Sequence, residues 1–275
     1  MIELYLLTML AILGLCLGSF ANAAVWRLKE KKDIVKDRSE CVHCHHKLSG
    51  WDLVPVFSWL WLRGKCRYCR KPISWQYPAV ELAVMVYFVV SYLVWQPQLI
   101  TTVDWIQFGL WLIYGVALAI LFVYDLRWQL LPDRIVKPLI ALGAVDFVLR
   151  ALEGRWSFEL FFAELALALL AISGVYGLLY AVSKGEWIGF GDVKLGAFMG
   201  LVLGWELALL ALFLANLIGL LVIVPGMISK KLTRTSRIPF GPFLILAFVI
   251  AGLWGYAITD MYIANVDLFV TTLML

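Results

Sequence analysis

The chain has 275 residues, of which 63% are hydrophobic and only 15% are charged. Soluble domains carry about 25% charged residues, so the composition excludes a disordered protein and argues against a soluble globular enzyme. The formal net charge of +4 is small and indicates no nucleic-acid-binding surface. The 13 Trp, 16 Phe and 11 Tyr suit the two interfaces of a polytopic membrane protein.

Apolar runs recur along the chain at the length of about 20 residues that a membrane-crossing helix needs. The clear runs lie at residues 2–23, 77–95, 104–124, 135–152, 157–182, 205–228 and 240–259. An eighth run, residues 195–204, is too short to cross unless its helix begins at Asp192. Counting it predicts an all-α polytopic membrane protein with about eight transmembrane helices.

The orientation is predicted from Lys and Arg, which remain on the cytosolic side. Residues 24–77 contain 12 of the 23 basic residues, so this segment is predicted to be cytosolic and the N-terminus to lie outside. With eight spans, only Arg150 and Arg155 fall on the outer side. The chain then divides into a first span, a cytosolic four-cysteine domain and a helical bundle, at residues 1–23, 24–76 and 77–275.

The cytosolic loop contains two Cys-x-x-Cys pairs, separated by 21 residues: Cys41 with Cys44, and Cys66 with Cys69. Four thiolates at this spacing can converge on one zinc ion and supply the folding energy of a small domain. A histidine ligand from residues 43–46 and a pair of redox dithiols or disulfides are the alternatives. The apolar residues between the pairs are expected either to form a small core or to lie on the membrane surface.

Two aspartates stand at the cytosolic ends of predicted spans. Asp125 ends the third span, and Asp192 follows Gly189 and Gly191. Ionisable residues at membrane depth are candidate functional sites, and two adjacent carboxylates that share a proton can activate water and polarise a carbonyl. The alternatives are an interfacial Asp125 paired with a nearby arginine and an Asp192 that merely begins a helix.

Two further carboxylates lie near span ends. Asp133 directly precedes the fourth span, and its position favours a cap of that helix over a catalytic role. Glu81 lies inside the second span near its cytosolic end, where a carboxylate is costly. Glu81 is therefore expected to pair with a basic loop residue or to lie near the site.

The order of motifs resembles that of the bacterial type IV prepilin peptidases, a family of GxGD-type membrane aspartyl proteases. The matching motifs, with the two cysteine pairs and Asp125 among them, are residues 18–22 (GSFAN), 27–28 (RL), 54–60 (VPVFSWL), 63–66 (RGKC), 72–74 (PIS), 77–82 (YPAVEL), 131–133 (LPD), 189–195 (GFGDVKL) and 238–243 (IPFGPF). They cover most of the chain, so the resemblance is specific.

The resemblance implies that Asp125 and Asp192 cut the basic leader of type IV prepilins or pseudopilins. The motif at 189–195, which contains Asp192, then assigns Gly189, Gly191 and Lys194 to substrate or cofactor binding. The family also N-methylates the new terminus with S-adenosylmethionine, an activity associated with the positions of Gly64 and Lys65. The four cysteines would hold a structural zinc.

The implied location is the bacterial inner membrane, with the loop and the site on the cytosolic side and no nucleic-acid partner. A peptidase without methyltransferase activity is the first alternative. A proton-coupled transporter and a zinc-loop adaptor without chemistry are the others. A transporter would be expected to show inverted repeats and carboxylates near the middle of the bilayer.

Overall fold

The computed structural model describes residues 2–154, 156–231, 233 and 238–273, so Arg155, predicted on the outer side, and two further basic residues, Arg234 and Arg237, lie outside the described residues. Apart from two isolated β-bridges, the regular structure of the described part is helical. Six of its helices are long and apolar enough to cross a membrane. The predicted all-α polytopic fold is therefore confirmed.

The helices follow the predicted runs closely. They are α1 (Ile2–Lys29), α2 (Phe57–Trp61), α3 (Gln76–Trp95), α4 (Thr102–Trp128), α5 (Asp133–Glu153), α6 (Phe158–Leu169), α7 (Val175–Ser183), α8 (Phe190–Ile228) and α9 (Gly241–Leu273). Short 3-10 turns cover Gly50–Leu53 and Gln96–Gln98, and a π-helical turn at Leu170–Gly174 joins α6 to α7.

The count of six differs from the predicted eight for two reasons, although all eight runs are helical. The run at 135–152 forms α5, but α5 carries several charged residues and falls short of the apolar character of a spanning helix. The short run at 195–204 and the following run at 205–228 form one element, α8. Its 39 residues correspond to about 58 Å, roughly twice the hydrocarbon thickness of a bilayer.

A break at Gly204 divides α8 into the two predicted parts. Gly204 has φ 76° and ψ 170°, a backbone conformation that side chains disfavour. The guanidinium of Arg150 donates to the carbonyl oxygen of Leu201, just before the break. Arg150 thereby satisfies a carbonyl at the end of the first part of α8. This arginine, predicted at the outer end of a span, is thus held by protein groups.

The chain forms two compact units, Met1–Tyr124 and Asp125–Leu275. In the first unit, α1 packs along α3. Gly14 and Gly18 lie directly against the backbone of Met85 and Glu81, where added Cβ atoms would come within 2.7 and 2.6 Å of Cα atoms. The spacing of small residues on α1 therefore serves close helix packing.

In the second unit, α8 is the central helix and packs against α5, α6, the π turn and α9. Gly196 lies against Ile172, and Gly200 lies against the carbonyl of Ala168, so small residues again permit close approach. The rings of Phe198 and Phe248 are 5.2 Å apart in the core between α8 and α9. This packing fixes the first turns of α8 and α9, where the candidate site lies.

Candidate active site and four-cysteine centre

Asp125 lies in the last turns of α4 and is 5% exposed. Its Oδ2 accepts a hydrogen bond of 3.1 Å from the backbone amide of Gly241, the first residue of α9. The first amides of a helix have no partner within the helix, so α9 offers this donor freely. The bond fixes the orientation of the Asp125 carboxylate.

Gly241 has no side chain because the carboxylate occupies that space. A Cβ at Gly241 would lie 2.6 Å from the Oδ2 of Asp125 and 3.4 Å from the Leu131 side chain. Sequence reasoning placed Gly241 in the closing motif but gave it no role. Its role in the structure is to let the α9 amide reach Asp125.

Asp192 lies in the first turn of α8 and is half-buried; its amide donates to the carbonyl of Gly189 at 3.1 Å. A Cβ at Gly191 would come within 3.0 Å of the Leu131 side chain. Leu131 therefore packs against both Gly191 and Gly241. Gly191 precedes Asp192 and the Gly241 amide binds Asp125, so the two aspartates, 67 positions apart in the sequence, both lie next to residues that contact Leu131.

Lys194 forms an ion pair with Asp133 in this site, and Lys137 pairs with the same carboxylate at 3.1 Å. The hydrogen bonds from Lys194 and Lys137 hold the pKa of Asp133 below its usual range. Asp133 is the first residue of α5, and Pro132 occupies the cap position. The expectation that Asp133 caps α5 was therefore wrong, because its side chain turns to the two lysines.

Tyr176 is a neighbour of the pair that sequence reasoning missed. It follows the π turn closely, is 3% exposed, and its ring packs edge-on against Phe240 at 5.9 Å. It interacts electrostatically with Asp192. π-helical turns are frequent at functional sites, but the apolar run at 157–182 gives no sequence signal for one.

In the first unit, the predicted cysteines Cys41, Cys44, Cys66 and Cys69 converge. All four sulfur atoms lie within 4.8 Å of one another, and the Sγ atoms of Cys41 and Cys69 are 3.9 Å apart. Tetrahedral zinc with Zn–S bonds of about 2.3 Å needs sulfur atoms about 3.8 Å apart. The thiols are free, so the disulfide alternative does not hold in this structure. The cluster fits a metal ion.

The two knuckles share one backbone geometry. The amides of Cys41 and Cys66 donate to the carbonyls five residues later, at 3.0 and 2.9 Å, and the carbonyls of both cysteines accept the amides four residues later. His45 and Arg70, which lie four residues after Cys41 and Cys66, have φ values of 54° and 61°. Burial alone would raise the pKa of the Cys66 thiol, but hydrogen bonds from the backbone amides of Cys69 and Tyr68 and from the thiols of Cys41 and Cys69 lower it, which favours a thiolate ligand.

The histidines beside the first knuckle are exposed and face other groups. The Nδ1 of His45 lies 3.3 Å from Glu40, and the ring of His46 lies tilted against Tyr68 with 3.7 Å between the ring centroids. The four-cysteine cluster includes no histidine. The structure thus favours histidines that flank the centre over histidine ligands.

Asp52 joins the segment between the knuckles to the second knuckle. Its side chain is 3% exposed and accepts hydrogen bonds from Arg67 at 2.7 Å, from Tyr68 at 3.2 Å and from Ser49. Burial alone would raise the pKa of Asp52, but the Arg67 ion pair and the Ser49 hydrogen bonds hold it below its usual range. A charged, fully bonded Asp52 therefore orders this loop.

Gly64 and Lys65, predicted from the resemblance, directly precede the second knuckle. Gly64 is buried with φ 66°, and a Cβ there would come within 2.9 Å of the Trp59 ring. Its amide and carbonyl are both used by the loop itself, toward Trp59 and Ile73. Gly64 thus has a conformational role, whereas the Lys65 side chain is exposed.

Comparison with known proteins identifies two family models in the chain. The bacterial peptidase A24 N-terminal domain matches residues 12–95, and the type IV leader peptidase family matches residues 112–224. The first match contains the four-cysteine centre, and the second contains both aspartates. No solved structure matches the chain.

Curated relatives match over most of their length. A prepilin leader peptidase/N-methyltransferase of Stutzerimonas stutzeri is 32% identical, with 92% of each chain covered. The protein of the same name from Pseudomonas aeruginosa is 32% identical over 92% of this chain and 91% of its own. A third, from Aeromonas hydrophila, is 32% identical over 85% of this chain and 77% of its own. The resemblance inferred from the motifs is confirmed: the chain belongs to the type IV leader peptidase family and is a multi-pass membrane enzyme.

Proposed function

We propose that the chain cleaves the basic leader peptide of type IV prepilins or pseudopilins, with Asp125 and Asp192 as its catalytic pair. The observation that carries the proposal is that Gly191, next to Asp192, and Gly241, whose amide orients Asp125, pack against the same leucine, Leu131. The names of the curated relatives supply the substrate class and both activities.

Two carboxylates at close range titrate as a pair and share one proton. The ionised aspartate takes a proton from water, which attacks the scissile carbonyl carbon. The protonated aspartate donates a hydrogen bond to the carbonyl oxygen and stabilises the tetrahedral intermediate. The leaving amine then takes a proton from the pair, and both products separate.

The neighbouring predicted residues have supporting roles in this proposal. Gly191 and Gly189 keep the start of α8 free of side chains, so that backbone and substrate can approach Asp192. Lys194 holds the first residue of α5 in place through its ion pair with Asp133. Lys194 therefore positions the pair and does not itself touch substrate, which refines its predicted binding role.

The second proposed activity is N-methylation of the new terminal amine. S-adenosylmethionine, when bound, supplies an electrophilic methyl group. The neutral amine, which its ordinary pKa of about 8 makes accessible, would take that methyl group, with S-adenosylhomocysteine as the leaving group and one amine proton released to water. Gly64 shapes the backbone before the second knuckle, while the exposed Lys65 ammonium suits the carboxylate of the methyl donor.

The four cysteines are proposed to hold a structural zinc that folds the loop. The charge distribution supports a cytosolic position for the four-cysteine domain at 24–76. The first span at 1–23 then has its N-terminus on the outer side, and the helical bundle at 77–275 follows the domain. This orientation fits a prepilin whose leader stays in the cytosol while its apolar helix lies in the inner membrane.

Leader cleavage of a prepilin in membranes tests the pair directly. We expect Asp125→Asn and Asp192→Asn each to abolish cleavage while the proteins accumulate at wild-type levels. Asp260→Asn, at an exposed position of α9, is the matched control and is expected to cleave normally. Cleavage at the wild-type rate by either active-site variant would remove that residue from the pair and favour a function without aspartate catalysis.

Methylation is tested separately by supplying pilin whose leader is already removed. Mass spectrometry of the product N-terminus should show one added methyl group with the wild type and much less with Lys65→Met. Lys71→Met, an exposed lysine on the same knuckle, is the control. A wild type that cleaves prepilin but adds no methyl group to the leader-free pilin would support the alternative of a peptidase alone.

A further inference from the structure

The segment between the two knuckles leaves its apolar side chains uncovered. Neither the turn at Gly50–Leu53 nor α2 contains a buried residue. Phe57 is 66% exposed, Leu60 58% and Trp61 87%. Of the two expectations for this segment, a small core is therefore wrong. A surface this apolar in water is unusual and marks contact with a protein or a membrane.

Trp59, on the side of α2 away from the exposed residues, holds this helix to the rest of the loop. The indole Nε1 of Trp59 donates to the carbonyl of Ile73 at 3.1 Å, and the Trp59 ring covers Gly64. Trp59 therefore anchors α2 to the second knuckle. Phe57, Leu60 and Trp61 remain exposed, so the apolar surface of α2 is rigidly presented.

The segment lies beside the middle of α1. Leu53, Val54, Pro55 and Phe57 line a cavity of about 420 Å³ with Ile12, Leu15 and Cys16 of α1. Cys16 precedes Arg27 by 11 residues, which is about 16 Å along a helix axis. Since Arg27 binds the loop carbonyl of Ile34 at 2.5 Å, it marks the loop end of α1. The cavity is therefore at membrane depth.

A second contact places the segment at the same depth. The amide of Val56 donates to the Oε2 of Glu81 at 2.7 Å. Glu81 is 6% exposed, is the sixth residue of α3 and lies directly against Gly18 of α1. Val56 thus lies at the level of Gly18, nine residues or about 14 Å from Arg27 along α1.

The backbone of the segment suits a medium without water, where each amide needs a protein partner. Pro55 has no amide hydrogen, and the Val56 amide binds Glu81. The amides of Ser58 and Leu60 bind the carbonyls of Val54 and Val56 at 3.0 Å. In this arrangement Val56 has a φ of 62°, a backbone conformation that a β-branched residue rarely adopts.

Basic residues follow the apolar segment immediately. Exposed side chains of the second knuckle include Arg63, Lys65, Arg67, Arg70 and Lys71. Such a cluster next to an apolar surface is attracted to anionic headgroups. Charge and apolarity together therefore fit a lipid leaflet better than a protein surface, since the α1 side of the cavity is formed by Ile12, Leu15 and Cys16 of a helix long and apolar enough to span a membrane.

We propose that residues 53–61 insert into the leaflet on the side of the four-cysteine centre, and that an acyl chain fills the cavity against α1. The loop domain is thus a monotopic element anchored at a fixed depth, in addition to its two flanking spans. Trp51 and Trp75, 80% and 74% exposed, lie at the headgroup level.

Photocrosslinking in liposomes of phosphatidylcholine and phosphatidylglycerol tests this insertion in the full chain. p-Benzoylphenylalanine replaces Phe57 or Trp61, and Val35 in the control. Val35 is 79% exposed but lies in the polar part of the loop. We expect lipid adducts at positions 57 and 61 to exceed those at 35 at least tenfold by mass spectrometry. This readout does not depend on catalysis.

Other outcomes overturn the proposal. Adducts at positions 57 and 61 no more abundant than at 35 would place the segment in water. Crosslinks to a second copy, or to added prepilin in place of lipid, would assign the surface to a protein partner. As a second measurement, nitroxide groups placed along the lipid chains should quench the tryptophan fluorescence of the wild type more than that of Trp61→Phe. Equal quenching of both proteins would contradict insertion.

Discussion

The amide of Gly241 and the carboxylate of Asp125 meet at 3.1 Å and join the start of α9 to the end of α4. The residues are 116 positions apart, so no local pattern relates them. A single backbone donor fixes the carboxylate without adding a second charge to the site. The contact also explains why glycine occupies position 241, since any Cβ would enter the space of the carboxylate.

We predict that Gly241→Ala impairs leader cleavage by about tenfold or more, a loss of about 1.4 kcal/mol in transition-state stabilisation. The added methyl group would lie 2.6 Å from the Oδ2 of Asp125 and must displace it. Because Asp125 keeps its charge, the loss should appear in kcat more than in KM. Kinetics of prepilin cleavage in detergent give both constants.

Gly109→Ala is the matched control, because a Cβ at Gly109 on α4 meets nothing within 4 Å. It should cleave at the wild-type rate. If Gly241→Ala also cleaved at that rate with unchanged KM, the hydrogen bond to Asp125 would not orient the catalytic group.

A second prediction concerns Lys194 and Asp133, which form an ion pair beside Asp192. If Lys194 acts through Asp133, Lys194→Met and Asp133→Asn should lower kcat/KM by similar factors. The double variant should then be no worse than either single variant, since groups that act as a unit are not additive. A direct contact between Lys194 and substrate would instead make the two losses add, and would raise KM for Lys194→Met alone.

Sequence reasoning was most successful where chemistry forces a pattern. Length and apolarity identified the spans, because the bilayer imposes both. The two Cys-x-x-Cys pairs predicted the convergence of four thiols, because a tetrahedral ion requires two ligands from each knuckle. The predicted apolar run at 195–204 ends at Gly204, where α8 breaks. The sequence did not indicate that Arg150 binds a carbonyl just before this break.

The features that the sequence did not predict correctly depend on tertiary contacts. Asp133 precedes a helix as a cap does, but Lys194 from α8 reaches its carboxylate. The π turn that precedes Tyr176 arises within a long apolar run, so hydropathy does not indicate it. The segment at 53–61 offered two interpretations with the same composition, and only the burial of its side chains separates them.

A third prediction tests the four-cysteine centre. Cys41→Ser and Cys66→Ser, one from each knuckle, should each reduce bound zinc from one per chain to near zero, because three thiolates hold the ion far less tightly. Elemental analysis of purified protein measures the metal. Cys16→Ser should keep its zinc, since Cys16 is the exposed cysteine of α1 and not a member of the cluster. Full zinc content in both knuckle variants would contradict the assignment.

The fourth prediction concerns Glu81, whose carboxylate binds the Val56 amide at 2.7 Å. Glu81→Leu leaves this amide without an acceptor, and an unsatisfied buried amide costs about 1–3 kcal/mol. We therefore expect the melting temperature in lipid nanodiscs to fall by several degrees. Glu81→Gln keeps an acceptor oxygen and should melt close to the wild type.

Glu206→Leu, at an exposed position of α8, removes a glutamate without touching the loop and is expected to leave the melting temperature unchanged. The comparison also separates charge from hydrogen bonding at position 81. Equal losses for Gln and Leu would mean that the negative charge, and not an acceptor for Val56, is what the site needs. No loss for Leu would mean that the segment at 53–61 is held at its depth by its apolar side chains alone.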